Sequence, residues 1–200
     1  MQRLIIVLIV LFTAGCTGKQ SHILTSEIVE TSENSEKPQW LFKTFRVLKN
    51  EAGFEFSGGV MNVSDYALGV SEARAEAIKN GISSIQLKVR SEFSRFAEGS
   101  NMTPDLIGKF VSDGIAYVAD SFYVTGIQQR EIFYEKAIYS TDIQPHYNIW
   151  ARCYISKPDY MKAKIDAAQR LVNKYKYEKN MEAKKKAEEL LERLRKEASS

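Results

Sequence analysis

The chain has 200 residues, of which 44% are hydrophobic and 26% are charged, and its formal net charge is +3 at pH 7. This length fits one domain of ordinary size with short additions. The charge is too small for a nucleic-acid-binding domain, which would carry clustered Lys and Arg, so no nucleic-acid partner is expected.

The N-terminus has the pattern of a secretory signal. Arg3 precedes the apolar run Leu4 to Phe12, and the small residues Ala14 and Gly15 follow. As a helix this run is about 14 Å long, against about 30 Å for the hydrocarbon core of a bilayer, so it cannot span a membrane by itself. We expect residues 1–15 to be removed as a signal peptide.

Cys16 directly follows Ala14-Gly15, and this arrangement resembles the bacterial lipoprotein signal, although Thr13 stands where that signal usually has Leu. The resemblance implies that Cys16 is lipidated and becomes the first residue of the mature chain. Several acyl chains would anchor the protein to a membrane stably. Thr17, in place of the Asp of the inner-membrane retention signal, favours the outer membrane and its periplasmic face. Ordinary secretion is the alternative.

The next segment is polar. Residues 16–37 are rich in Ser, Thr, Glu, Asn, Lys and Gln, which predicts a flexible tether after the lipidated cysteine. Within it, Ile23, Leu24, Ile28 and Val29 could form one weak amphipathic turn or a short strand.

The remaining pattern predicts an α+β domain over residues 38–175. We expect an antiparallel sheet of about three to four strands, with two helices packed on it and a long C-terminal helix. Predicted strands are Val47 to Lys49, Phe54 to Met61, Val124 to Tyr139 and Tyr147 to Ser156, and predicted helices are Tyr66 to Glu98 and Thr103 to about Ser121. Ala67, Ala73, Ala75 and Ala77 would let the first helix approach the sheet closely.

Gly58 and Gly59 end a predicted strand. They indicate either a bulge or the close approach of another backbone. No phosphate-loop motif follows them, so a phosphate-binding loop is not predicted.

The C-terminal helix is predicted to run without interruption from Ser156 to Lys196, about 60 Å. Residues 176–200 form its charged part, with a thin apolar seam of Ala183, Ala187, Leu190, Leu191 and Leu194. Two interpretations remain open for this tail. It is either solvated, or it is an oligomerisation or docking helix in which Leu190 and Leu194 contact a partner.

No catalytic grouping is visible. The two histidines, His22 and His146, have no metal-ligand spacing around them, and no hydrolase or nucleotide motif occurs. We therefore predict a protein that is not an enzyme, with no catalytic residue, metal, cofactor or small-molecule substrate. Cys153 lies in an alternating apolar pattern, which predicts a small buried side chain. If Cys16 carries lipid, Cys153 has no other cysteine to pair with, so no intrachain disulfide is expected.

Aromatic residues are dense in the two late strands. Because a strand places side chains on both faces, some of these rings would be exposed unless the C-terminal helix or a second subunit covers them. Tyr134, Trp150 and Tyr154 are the candidates for such an interaction surface.

Several of these features together resemble a known family. They are the lipidated Cys, the tether, Pro38-Gln39-Trp40, the strand ending Phe56-Ser57-Gly58-Gly59, the helix start Ala73-Arg74-Ala75-Glu76-Ala77 and a late Tyr-x-Ile-Trp-Ala strand. The pattern over residues 38 to 160 resembles the LPP20 family of bacterial outer-membrane lipoproteins, which includes a flagellar lipoprotein associated with the motor.

The resemblance implies a compact domain that assembles into rings or larger arrays, and it carries no active-site residues. We therefore expect a lipid-anchored scaffold or assembly protein of the envelope, at a flagellar or another machine. Its expected partners are the membrane and either further copies of itself or another envelope protein. The alternative is a periplasmic module that binds cell-wall glycan or another envelope ligand through exposed aromatic rings.

Overall fold

The structure is a computed structural model that describes residues 26–32, 37–48, 52–124, 126–139 and 144–199. The predicted signal peptide, Cys16 and the first part of the predicted tether lie outside the described residues. The strands are β1 (Ser26–Thr31), β2 (Phe45–Val47), β3 (Gly53–Val63), β4 (Gln128–Tyr139) and β5 (His146–Ser156). The helices are α1 (Tyr66–Ala97), α2 (Pro104–Val124), α3 (Lys157–Tyr177) and α4 (Met181–Ala198), with a short 3-10 helix at Gln39–Phe42.

The strands form one antiparallel sheet in the order β1-β4-β5-β3-β2. The predicted α+β class and antiparallel sheet are confirmed, but five strands replace the predicted three to four. The additional strand, β1, lies inside the segment that was predicted to be a flexible tether. Polar residues suit β1 because it is an edge strand that is exposed along nearly all its length, and its backbone pairs with β4.

Helix α1 lies directly on β3 and β5, on the side of the sheet that we call the inner face. Gly69, Ala73, Ala77 and Gly81 are buried at four-residue intervals, whereas Ala67 and Ala75 are exposed. A Cβ atom on Gly58 would overlap the backbone nitrogen of Ala77. Of the two alternatives for the glycine pair, the close approach of another backbone is therefore the one found at Gly58.

The remaining helices extend the core beyond the sheet. The second half of α1 buries Ile85, Val89, Phe93 and Ala97, and it packs against α2, which also packs on α3. The start of α3 contacts β3 and β5. The expectation of two helices lying on the sheet is thus only partly met, since α2 packs chiefly on other helices.

The predicted single C-terminal helix is wrong, because the chain turns at residues 178–180 and α4 folds back along α3. Lys179 adopts a left-handed conformation with φ of 55°, and the Asn180 side chain accepts a hydrogen bond from the Ala183 amide at 3.1 Å. An Asn that caps a helix start can interrupt a helical pattern without Gly or Pro. Leu190 and Leu194 are consequently buried in this chain, at 3% and 4% exposure.

Residues 37–43 lie on the opposite side of the sheet, the outer face. They belong to the connection between β1 and β2, which are at opposite edges of the sheet. Within that connection Lys37 forms an ion pair of 2.8 Å with Glu135, and the Ser57 hydroxyl donates to the Lys43 carbonyl at 3.0 Å. We call residues 37–43 the strap.

The contact between α1 and Gly58 gives a stability prediction. Gly58→Ala should lower the free energy of unfolding by at least about 2 kcal/mol, because the added methyl group forces two backbones apart. Gly108→Ala on α2 is the matched control, since nothing lies within 4 Å of its added Cβ. There a helical Ala should leave stability unchanged or raise it by about 0.5–1 kcal/mol. Urea denaturation of both variants measures the difference, and equal stabilities would contradict the close packing.

Candidate interaction surfaces

The five residues predicted to form an interaction surface lie in three separate places. Trp150 and Tyr154 alternate with the core residues of β5 and lie on the outer face. Tyr134 belongs to the inner face, where it contacts Tyr66 at the start of α1. Leu190 and Leu194 belong to α4 and are buried within the chain. The predicted residues therefore do not combine into one patch.

Tyr134 is part of a tyrosine cluster with Tyr66 and Tyr147. The ring centroids are 5.2 Å apart for Tyr66 and Tyr134, 5.5 Å for Tyr66 and Tyr147, and 6.2 Å for Tyr134 and Tyr147. The Tyr134 hydroxyl donates to the Glu30 carboxylate at 2.7 Å. This hydrogen bond, aided by Lys136, lowers the pKa of Glu30, and the same carboxylate raises the pKa of Tyr134. Through the hydrogen bond to Glu30, the tyrosine cluster contacts a side chain of β1 and helps to hold that strand on the sheet.

The two aromatic residues on the outer face are engaged within the chain. Trp150 packs beside Phe133 at 5.8 Å between centroids, and the Lys37 ammonium of the strap lies 5.7 Å from its ring. The Arg130 guanidinium lies 3.8 Å from the Tyr154 ring, and the Tyr154 hydroxyl donates to the Ala52 carbonyl at 2.9 Å. Both rings are partly buried, so neither is a free stacking platform.

Charged residues surround these rings. Glu55 is only 6% exposed and lies 3.5 Å from Arg130 and 3.8 Å from Arg152. Arg152 also reaches Glu131 at 3.3 Å. Such a nearly buried carboxylate is tolerated because cations compensate for its lost hydration.

A small cavity of about 40 Å³ opens between the strap and the outer face, and we call it the strap pocket. Trp40, Lys43, Arg46, Ser57 and Arg152 are among its lining residues. No sequence pattern predicts this pocket, because its residues are distant along the chain and no motif connects them.

A longer groove runs along the helical side, between α1, α3 and α4. Two adjoining cavities of about 290 and 180 Å³ share Glu92, Lys164 and Glu197 in their walls, and Leu190 and Leu194 line the larger one. Glu92 accepts hydrogen bonds from Lys164 at 3.0 Å and from the Tyr160 hydroxyl at 3.2 Å. Burial and this carboxylate raise the pKa of Tyr160, so its hydroxyl remains protonated.

Apolar side chains are exposed at the edge of the sheet formed by β1, where no other strand of the described residues pairs. Ile28 is 49% exposed, Val29 is 47% exposed, and Ile138 on the neighbouring β4 is 41% exposed. An edge strand also presents backbone N–H and C=O groups that have no partner in the sheet. This edge combines backbone hydrogen-bonding capacity with apolar area.

Cys153 is buried, as the alternating pattern predicts, and it is a free thiol. Burial raises its pKa to about 11.

Among the described residues, no three His, Cys, Asp or Glu side chains are placed to hold a metal ion, and no helix is long and apolar enough to cross a bilayer.

Comparison with known proteins finds no matching family model, no matching curated protein and no matching solved structure.

The environment of Cys153 predicts its reactivity. In a Cys16→Ser variant, which leaves one thiol, Cys153 should not react with a thiol reagent at pH 7, because the thiolate is the reactive form and the folded protein suppresses it. Reaction should become complete when the protein is unfolded in denaturant. Absorbance of the released chromophore measures both steps. Rapid reaction of the folded protein would contradict the burial of this thiol.

Proposed function

We propose that this protein is a non-enzymatic lipoprotein, anchored through Cys16 to the periplasmic face of the outer membrane, where its domain serves envelope assembly or scaffolding. The signal pattern before Cys16 supports the anchor. In addition, Ser26 of β1 follows Cys16 by only ten residues, which span at most about 35 Å. The domain would therefore be held nearer to the membrane than a tether ending at residue 37 would hold it.

The exposed edge at β1 is the observation that best supports an assembly role. Backbone groups on an edge can pair with a strand of a neighbouring molecule, and Ile28 and Val29 would gain burial in that contact. Because β1 is also the strand nearest the anchor, this edge would face other molecules held at the same membrane. A second copy or another envelope protein would serve as the partner.

Membership of the LPP20 family is part of the proposal and is supported by the sequence pattern between residues 38 and 160. A ring around a flagellar motor or another envelope machine is one form that such assembly would take. Glycan binding, the alternative, has less support, because Trp150 and Tyr154 already have partners within the chain.

The anchor is tested by cell fractionation. Cys16→Ser should move the protein from the membrane to the soluble fraction, because lipidation needs the thiol of that residue. Cys153→Ala is the matched control, since it removes the other cysteine and should leave the protein with the membrane. A Cys16→Ser variant that remains entirely membrane-bound would refute lipid anchoring at this residue.

Assembly through the β1 edge is tested by particle mass. The lipidated protein in detergent should form particles whose protein mass is several times that of one mature chain. Val29→Lys should reduce that mass to one chain, because a charge on an edge strand opposes pairing. Leu87→Lys is the control, since Leu87 is 70% exposed on α1, away from this edge. Light scattering, corrected for bound detergent, measures the mass. A wild-type monomer, or loss of assembly in both variants, would count against the β1 edge.

A further inference from the structure

The strap pocket has an excess of positive charge. Lys43, Arg46 and Arg152 line it, and Glu55 is the carboxylate in its wall. Glu55 is itself paired with Arg130 as well as with Arg152. Among the residues that the structure describes, neither Lys43 nor Arg46 has a carboxylate within 4.0 Å. Cations that surround a recess repel one another, and together they attract an anion.

A second observation concerns Arg152. Its Nε atom is buried and has no hydrogen-bond partner, although Nη2 of the same guanidinium lies near both Glu131 and Glu55. A buried donor without an acceptor is unfavourable and is uncommon in folded proteins. A ligand in this pocket would place a hydrogen-bond acceptor next to the Arg152 guanidinium.

The remaining lining residues indicate how such a ligand would be held. The Trp40 ring lies 5.9 Å from the Arg152 guanidinium and forms part of the wall. Ser57 is 4% exposed and directs its hydroxyl toward the strap, where it donates to the Lys43 carbonyl. The pocket is therefore built by both the strap and the sheet, and an anion within it would contact both.

The size of the pocket limits the anion. A cavity of about 40 Å³ is far smaller than the roughly 300–1,000 Å³ of sites that enclose a whole small molecule, so it admits only a small terminal group. A planar carboxylate is smaller than a tetrahedral phosphate or a sugar ring. Guanidinium groups also match the geometry of carboxylates.

We propose that the strap pocket binds a single carboxylate group, carried by an acidic side chain or by the C-terminus of a peptide segment. Lys43 would supply charge from the strap, Arg46 from β2 and Arg152 from β5. Bound in this way, the carboxylate would hold the strap against the sheet. This inference is independent of the anchor at Cys16 and of the β1 edge.

The experiment uses the full-length protein in detergent, with its two tryptophan indoles labelled with ¹⁵N. N-acetylglutamate amide supplies a side-chain carboxylate, and N-acetylalanine supplies a C-terminal carboxylate. N-acetylglutamine amide is the neutral probe of the same shape, and inorganic phosphate is the larger anion. Saturable shifts of the Trp40 indole signal report binding at the pocket, while the Trp150 signal reports effects elsewhere on the outer face.

At least one carboxylate probe should shift the Trp40 signal saturably, and the neutral probe should not. Lys43→Gln with Arg46→Gln should weaken this binding roughly a hundredfold, about tenfold for each cation removed. Arg90→Gln with Lys162→Gln is the control, since it changes the net charge equally at exposed residues outside the pocket. It should leave the affinity within about twofold. All four substitutions replace exposed side chains, so the fold should be retained in both variants.

The relative affinities of the two carboxylate probes identify the source of the group. Tighter binding of N-acetylglutamate amide assigns an acidic side chain, and tighter binding of N-acetylalanine assigns a chain terminus. Three results would overturn the proposal. These are no saturable shift with either probe, equal binding of the neutral probe, or tighter binding of phosphate than of both carboxylates.

Discussion

The contact between α1 and the middle of β3 is the constraint on which the rest of the structure depends. Gly58 lets the backbone of the helix approach the sheet at Ala77, and the small residues Gly69, Ala73 and Gly81 continue this contact along the helix. Because α1 is 32 residues long, its second half projects beyond that contact and forms a surface on which the other helices pack. A larger residue at Gly58 would therefore displace the helical layer together with the helix.

Several elements could be predicted from local signals. Asp65 caps α1 by accepting a hydrogen bond from the Leu68 amide, and Ser156 caps α3 in the same way through the Asp159 amide. Both caps stand directly before an apolar period of three to four residues, and such signals need no knowledge of distant parts of the chain. The antiparallel pairing of β4 with β5 could be predicted equally well, because the two strands are neighbours along the chain.

The elements that the sequence analysis missed depend on distant contacts. For β1 the sequence offered only a weak turn or a short strand that included Ile28 and Val29, because pairing with a strand more than a hundred residues later gives this exposed segment its conformation. The turn before α4 contains no Gly or Pro. The periodicity of the apolar residues therefore did not indicate that the helix ends near the left-handed Lys179. The strap pocket was hidden for the same reason, since Trp40 and Arg152 meet only where the strap lies on the outer face.

Both ends of the described chain cover surfaces that would otherwise be exposed. The strap lies over the outer face, where it engages Glu135 and Trp150, and α4 covers the helical layer with Leu190 and Leu194. Each face of the sheet is therefore partly covered by the chain itself, which leaves less apolar area on the faces for a partner. The edge strands β1 and β2 retain backbone groups that no other strand of the described chain satisfies. Since an edge strand can accept a further strand without displacing any part of the domain, assembly at an edge requires the least rearrangement of this fold.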